Sequence, residues 1–372
     1  MAFMQSYGMS ILFDVLALAL IFVVLLDVFE VMILPRRVTR PLRLSSISGR
    51  LTWAPWVAIG RHIKNRNRRE NFLGVYGPIG LLFLLFIWAV GLIAGFALLQ
   101  WACGSGYSTL EKTPTFATDL YVSGTTFFTL GLGDVVPLTG IARFLTVAEA
   151  GFGFGILAVV IGYLPVLYQA FSRREVNISL LDARAGSPPS AGELLRRYGQ
   201  HQNADALGQF LNEWERWSAE LLESHLSYPS LAYFRSQHEN QSWLAAMTMI
   251  LDTCSIIMAG IDGIPEKRAR LTFAMARHAA VDLAQIIRAK PRECHADRLP
   301  PPSLERLRAI LGDAGLTLHI TSHANEKLLK YREMYEPYVN ALAEQLVMDL
   351  PPWIPGDGAQ DDWMTSAGEL LA

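Results

Sequence analysis

The chain has 372 residues, of which 51% are hydrophobic and 18% charged, with a formal net charge of −2. That apolar share is high for a soluble protein, the length leaves room for about two domains, and a net charge near zero implies no overall attraction to nucleic acid. Cys103, Cys254 and Cys294 are odd in number and scattered, which excludes a disulfide framework or a paired CxxC knuckle. Cys294-His295 with His319 and His323 fits no usual zinc spacing either.

Apolar residues crowd the first half. The first long run, Ser10 to Leu34, predicts a retained membrane helix in an N-terminal segment 1–35. Its start has no Lys or Arg and no cleavage site follows, so it does not read as a signal peptide. Asp14, Asp27 and Glu30 are costly in lipid. They face protein, with Arg36 and Arg37 near enough to pair with the lower two, or they snorkel at the helix ends. Segment 36–75 is basic, with Arg36, Arg37, Arg40, Arg43, Arg50, Arg61, Lys64, Arg66, Arg68 and Arg69 against Glu70 alone. Short Lys/Arg-rich loops stay on the cytoplasmic side. Trp53 and Trp56 beside those cations predict an interfacial helix. The orientation that follows is an outer N-terminus and a cytoplasmic C-terminal half, in a multi-pass protein of the cell membrane.

Segment 76–174 contains two more spanning runs, 77–101 and 141–171, with Arg173 and Arg174 emerging in the cytoplasm. Between them, Thr113-Pro114 predicts a capped helix over 114–128, too short to span a bilayer. The chain then returns as non-helical backbone, which survives at that depth only when buried in protein or lining water. That stretch reads "SGTTFFTLGLGDVVP", Ser123 to Pro137.

Gly77 to about Arg174 resembles the potassium-channel pore-loop family, with outer helix, pore helix, filter and inner helix. The resemblance centres on Thr129-Leu130-Gly131-Leu132-Gly133-Asp134, standing where the family most often has Thr-Val-Gly-Tyr-Gly-Asp. Independently of it, glycines tolerate positive φ and allow successive carbonyls to turn toward one axis. Four such strands would replace an ion's hydration shell with rings of oxygens. The resemblance implies a homotetramer in membrane lipid that conducts K⁺ passively over the carbonyls of Thr129, Leu130, Gly131 and Leu132. It implies no catalytic residue and no cofactor beyond the permeant ion. Pro137 and Arg143 fall where the family opens its inner helix. Gly153 falls at its gating hinge and Pro165 at its helix crossing, although Gly and Pro are also frequent in membrane helices for other reasons. Gly91/Gly95 and Gly151/Gly155 are small-xxx-small pairs suited to close packing.

The sequence also departs from the family. Leu132 replaces the usual tyrosine, Tyr121-Val122 replace a tryptophan pair, and Thr125 stands where some members brace the filter aspartate with a glutamate. Glu149, one turn before Gly153, is expected to take over that bracing by bonding Thr125 or Thr126, or else to face the cavity and concentrate cations. Three other functions compete. Gly-Leu-Gly-Asp is also the GxGD signature of intramembrane aspartyl proteases, but the second carboxylate such chemistry needs has no candidate except Asp14, on the wrong topology. A phosphate turn lacks its Gly-Lys-Ser/Thr. A non-conducting sensor that keeps the architecture only to assemble is the third.

Beyond Arg174, 175–350 reads as an all-α cytoplasmic domain for an unidentified ligand or partner, giving an all-α membrane protein as the fold class. "VNISLLDARAGSPP" reads as a linker and Ser190 with Glu193 as a capping box. Helices are expected near 205–225, 241–261, 265–290, 303–312 and 325–348. Trp214, Trp217, Trp243, Met247 and Met249 are expected in the core. His225, His238 and His278 read as core or solvated groups, with a pH sensor as the alternative. Segment 351–372 is expected to be a flexible tail.

Overall fold

A computed structural model describes residues 2–34, 40, 43–108, 114–200, 204–237, 240–261, 264, 266–292, 297–319 and 321–356. The expected positions Arg36, Arg37, Thr113, His238, Cys294, His295 and the tail beyond 356 lie outside them. The chain forms two compact units, 1–59 with 78–168, and 60–77 with 169–372.

In the first unit, α1 (Ala2–Val28) ends in a π-helical turn at Phe29–Ile33 and packs on α4 (Tyr76–Ala102). The contact depends on small residues. A Cβ on Gly91 would lie 2.8 Å from Val24, and one on Gly95 2.7 Å from Ile21. This is the close packing expected of that pair. Asp27 is fully buried beneath it. The Trp88 indole N–H donates to it at 2.9 Å, and the Ser45 N–H and hydroxyl at 3.0 Å each. The expected partners Arg36 and Arg37 lie outside the described residues; among those described, three neutral donors meet Asp27, while Glu30 takes Arg40 at 2.9 Å and Arg43 at 3.4 Å. Ser45 lies in the first turn of α2 (Leu44–His62), which brings that donor pair to the carboxylate.

A short ribbon breaks the all-helical expectation. β1 (Tyr107–Ser108) pairs antiparallel with β2 (Val136–Pro137), Tyr107 opposite Pro137. Between them α5 runs over Phe116–Phe127, two residues later than the predicted start, because Thr115 is the cap and its N–H donates to Thr118 Oγ1 at 3.1 Å. α6 (Gly140–Ala185) outruns the expected 141–171. The presumed linker is helix as far as Ala185, since no Gly or Pro interrupts it before Gly186, and turns only over 186–189.

Among the described residues, four helical stretches are apolar and long enough to cross a membrane: Ser10–Ile33, Arg66–Ala102, Gly140–Ala185 and Trp243–Gly260. The first three leave most of their surface uncovered, with 28%, 39% and 17% of their most apolar window buried, whereas the fourth is 94% buried inside its own unit. A helix apolar all round is either a span or the centre of a core. α9 (Trp243–Gly260) is the latter, ringed by amphipathic helices.

In the second unit α9 packs on α7 (Ala191–Gln200), α10 (Glu266–Ile287), α12 (Ser322–Glu333) and α13 (Glu336–Leu346). α8 (Ala204–Ser227) lies along α10, and α11 (Pro301–Asp313) packs on α7. Trp214, Trp217, Trp243, Met247 and Met249 are all buried in this core. The expected single helix over 325–348 is two, because Pro337 opens a new one after Tyr335. Ser190 caps α7, the Glu193 N–H donating to its hydroxyl at 3.3 Å, but the Glu193 side chain turns to Arg196 and Arg197 instead of completing a box. The expected flexible tail is ordered at its start. Trp353 is buried under the guanidinium groups of Arg298 and Arg332. Arg298 in turn binds buried Asp252 at 2.6 Å and the Pro351 carbonyl at 2.9 Å.

α3 (Arg66–Gly74), expected in the interfacial linker, belongs to this unit, where Arg235 binds Glu70 at 3.0 Å. A second buried arginine, Arg174, reaches the Leu231 and Phe234 carbonyls at 3.0 and 2.9 Å and Glu175 at 2.9 Å. His225 lies 3.4 Å from it. His225 Nδ1 is 2.8 Å from the Leu221 carbonyl and must donate there, which leaves Nε2 to accept from Arg174. Burial, with the nearby Arg174 charge, lowers the His225 pKa to about 3. A folded-state pKa below the ordinary 6.5 means that the unfolded chain takes up the proton first as pH falls. Between pH 7 and pH 5 this single group is expected to cost the second unit about 2 kcal/mol of stability. Urea unfolding of wild type and His225→Gln at both pH values checks it, since the variant should lose that increment of pH dependence.

Candidate functional site

The predicted site residues other than Pro165 gather around the C-terminal end of α5. Immediately after it, φ is +56° at Thr129, +54° at Gly131 and +77° at Gly133. Leu130 and Leu132, between them, keep ordinary negative φ. Left-handed and ordinary conformations therefore alternate residue by residue, which glycine accepts freely and threonine at a cost of about 1 kcal/mol or more. The strand is tied to the helix through its main chain. The Thr129 N–H donates to the Thr126 carbonyl at 2.9 Å and the Leu130 N–H to the Thr125 carbonyl at 2.7 Å. Between that anchorage and Asp134, no described residue covers it. Leu130 and Leu132 are 61% and 63% exposed, and a Cβ on Gly131 or Gly133 would meet nothing within 4 Å.

The supports differ from those expected. Asp134 is held by Tyr121, whose hydroxyl donates to it at 2.8 Å. Glu149 is buried but bonds neither Thr125 nor Thr126. Its carboxyl meets the Ser123 hydroxyl, which also lies 2.8 Å from the Ile93 carbonyl. The Thr125 hydroxyl turns back to the Val122 carbonyl at 3.0 Å. The reason is helical phase. Ser123 and Phe127 share one face of α5, Glu149 and Gly153 one face of α6, and the two pairs are opposed. Thr125 lies on the far side of α5 from Ser123.

Gly153 is the closest point of that contact. A Cβ there would come 2.4 Å from the Phe127 carbonyl oxygen, so no larger residue fits without moving a helix. α6 is helical without interruption through both Gly153 and Pro165. Gly151 and Gly155 face open space within the protomer. Two residues that sequence reasoning passed over complete the surroundings: Asp119 is fully buried and accepts from Ser105 at 2.6 Å. Asp119 had a signal, an acid on the apolar face of a short helix, whereas nothing in spacing links Tyr121 to Asp134 or Ser105 to Asp119. Among the described residues no cluster of His, Cys, Asp and Glu suits a metal ion.

Residues 83–169 match a family model described as "Ion channel". The chain is also similar to the uncharacterized membrane protein YdjJ of Bacillus subtilis (strain 168), 23% identical over 193 residues, or 51% of this chain and 55% of that protein. Over 90 residues it is 30% identical to Protein LctB of Bacillus caldotenax, 22% of this chain and 66% of that protein. The chain thus spans 55% and 66% of the lengths of these relatives. No solved structure matches it. The family match supports an ion-channel pore over residues 83–169, in a membrane protein, and favours a channel over an enzyme.

Ser123 has one hydroxyl proton for two acceptors. Glu149→Gln adds an N–H donor and is expected to leave stability unchanged or raise it. Ser123→Ala strands a buried carboxyl and is expected to cost about 1–3 kcal/mol. Thermal unfolding of both variants in detergent checks this ordering.

Proposed function

We propose that four copies of this chain form a potassium-selective pore, with the strands Thr129 to Asp134 as its filter. The observation that carries this reading is the strict alternation of backbone hand at Thr129, Gly131 and Gly133 on a strand that nothing covers in its own protomer. Such backbone is stable at membrane depth only if it lines water or is buried by other chains. Convergence of four strands provides both, with carbonyl oxygens of Thr129, Leu130, Gly131 and Leu132 standing in for the water around K⁺. The exposed stripe of Val147, Phe154 and Ile161, every seventh residue on α6, offers the surface for contact between copies.

On this reading Tyr121 does the bracing that the family gives to other residues, fixing Asp134 from the pore helix. Glu149 serves the wall behind the filter, joining α5 to α6 through Ser123, rather than the water-filled cavity. Gly153 allows the inner helix to touch the pore helix, and Pro165, whose missing N–H weakens one helical turn, is where α6 yields when the pore opens. The basic segment around α2 orients the C-terminal unit to the cytoplasm, with the N-terminus outside, in the cell membrane. Conduction is passive, so the K⁺ ion is cargo, and no cofactor takes part.

Purified protein in liposomes under opposed K⁺ and Na⁺ gradients is expected to give barium-blockable current reversing near the potassium equilibrium potential. A reversal midway would replace potassium selectivity by general cation permeation. Absence of current would leave a pore-like sensor.

A further inference from the structure

The second unit contains a cavity of about 550 Å³ that conduction does not use. Its wall is formed by one face of α3, the segment leading into α9 and the chain just beyond α13. The volume falls within the range of small-molecule sites, which runs from about 300 to 1,000 Å³.

The wall's chemistry is specific. It has two cations and two anions, already matched. Arg235 is held by Glu70 at 3.0 Å and by the carbonyls of Leu346 and Val347 at 2.6 and 3.0 Å. Three acceptors on one side chain, itself only 9% exposed, make it a fixed part of the wall. Arg66 is different. It meets Asp349 at 3.1 Å, and both side chains are about half exposed, at 49% and 58%. An ion pair that open is worth at most about 1 kcal/mol and exchanges readily for a better partner. Between these pairs the wall mixes amides and hydroxyls with the apolar surface of Pro188, Ala245, Met348, Leu350 and Pro351. Two of its atoms, Ser236 Oγ and Gln241 Oε1, are shielded from bulk water and have no hydrogen-bond partner.

A purely anionic ligand would meet Glu70 and Asp349, and a purely cationic one Arg66 and Arg235. A molecule carrying both charges meets neither penalty. Its carboxylate takes the planar fork of Arg66, and the displaced Asp349 takes its ammonium. A further N–H answers the unpaired Gln241 carbonyl. We propose that this cavity is a binding site for a free α-amino acid. This goes beyond the pore reading and does not depend on it, because binding is measured without current. In the chain, α3 ends at Gly74 and α4 begins at Tyr76.

The test uses the full-length protein in detergent. Each of the common free L-amino acids is added singly, with matched primary amines and carboxylic acids as single-charge controls. At least one amino acid is expected to raise the melting midpoint by several degrees and to give a saturable calorimetric isotherm, while the controls give neither. Arg66→Gln, at a half-exposed position, should weaken that isotherm at least about tenfold while the urea midpoint of the ligand-free protein stays unchanged. Gln241→Leu should weaken it as well, and His278→Gln, on α10 outside the cavity, should leave it unchanged. The proposal is overturned if no amino acid binds, if the single-charge controls bind equally, or if affinity survives both cavity substitutions.

Discussion

A peptide group in hydrocarbon needs a hydrogen-bond partner, and that requirement governs the first unit. Helices meet it internally. The strand after Phe127 cannot, because alternating hand at Thr129, Gly131 and Gly133 breaks the ladder that would pair one residue with the fourth before it. Its first two N–H groups still reach back to the Thr126 and Thr125 carbonyls. The later carbonyls must find ions, water or another chain. α5, just before the strand, is too short to cross a bilayer, while α4 and α6 on either side of it in the chain are long enough.

Positions around the strand follow the same logic of satisfied polar groups. Buried acids are placed where neutral donors wait: Ser123 for Glu149, Ser105 for Asp119, and Trp88 with Ser45 for Asp27. A carboxyl in such a place costs several kcal/mol when unpartnered, so each one fixes the register of the helices that meet there. Glu149 and Gly153 are four residues apart on one face, one satisfying a hydroxyl and the other admitting a carbonyl. Together they fix where α6 touches α5.

The second unit solves the opposite problem. Its central helix, α9, is as apolar as a membrane span, yet its surroundings are protein. Amphipathic helices cover it on every side, and the buried ion pair of Asp252 and Arg298 is roofed by Trp353. Burial raises the Asp252 carboxyl, and Arg298 opposes that shift. Removing Arg298 would leave Asp252 without a counter-ion in a closed core, whereas Arg298 also has Glu336 at 3.2 Å.

Sequence alone determined the apolar runs, the short helix between two of them, the glycine alternation and the helical character of the second half. These are local properties: length, periodicity and the conformational freedom of glycine depend on neighbours along the chain. The core tryptophans were legible for the same reason, as was the close contact made by Gly91 and Gly95. Only the tertiary structure decided that Ser123 and not Thr125 meets Glu149, that Tyr121 holds Asp134, that Trp88 answers Asp27 and that Trp353 closes a core instead of trailing from it. Each is a pairing between elements distant in the chain, set by helical phase and by which buried group lacks a partner, and neither quantity exists until the helices are packed.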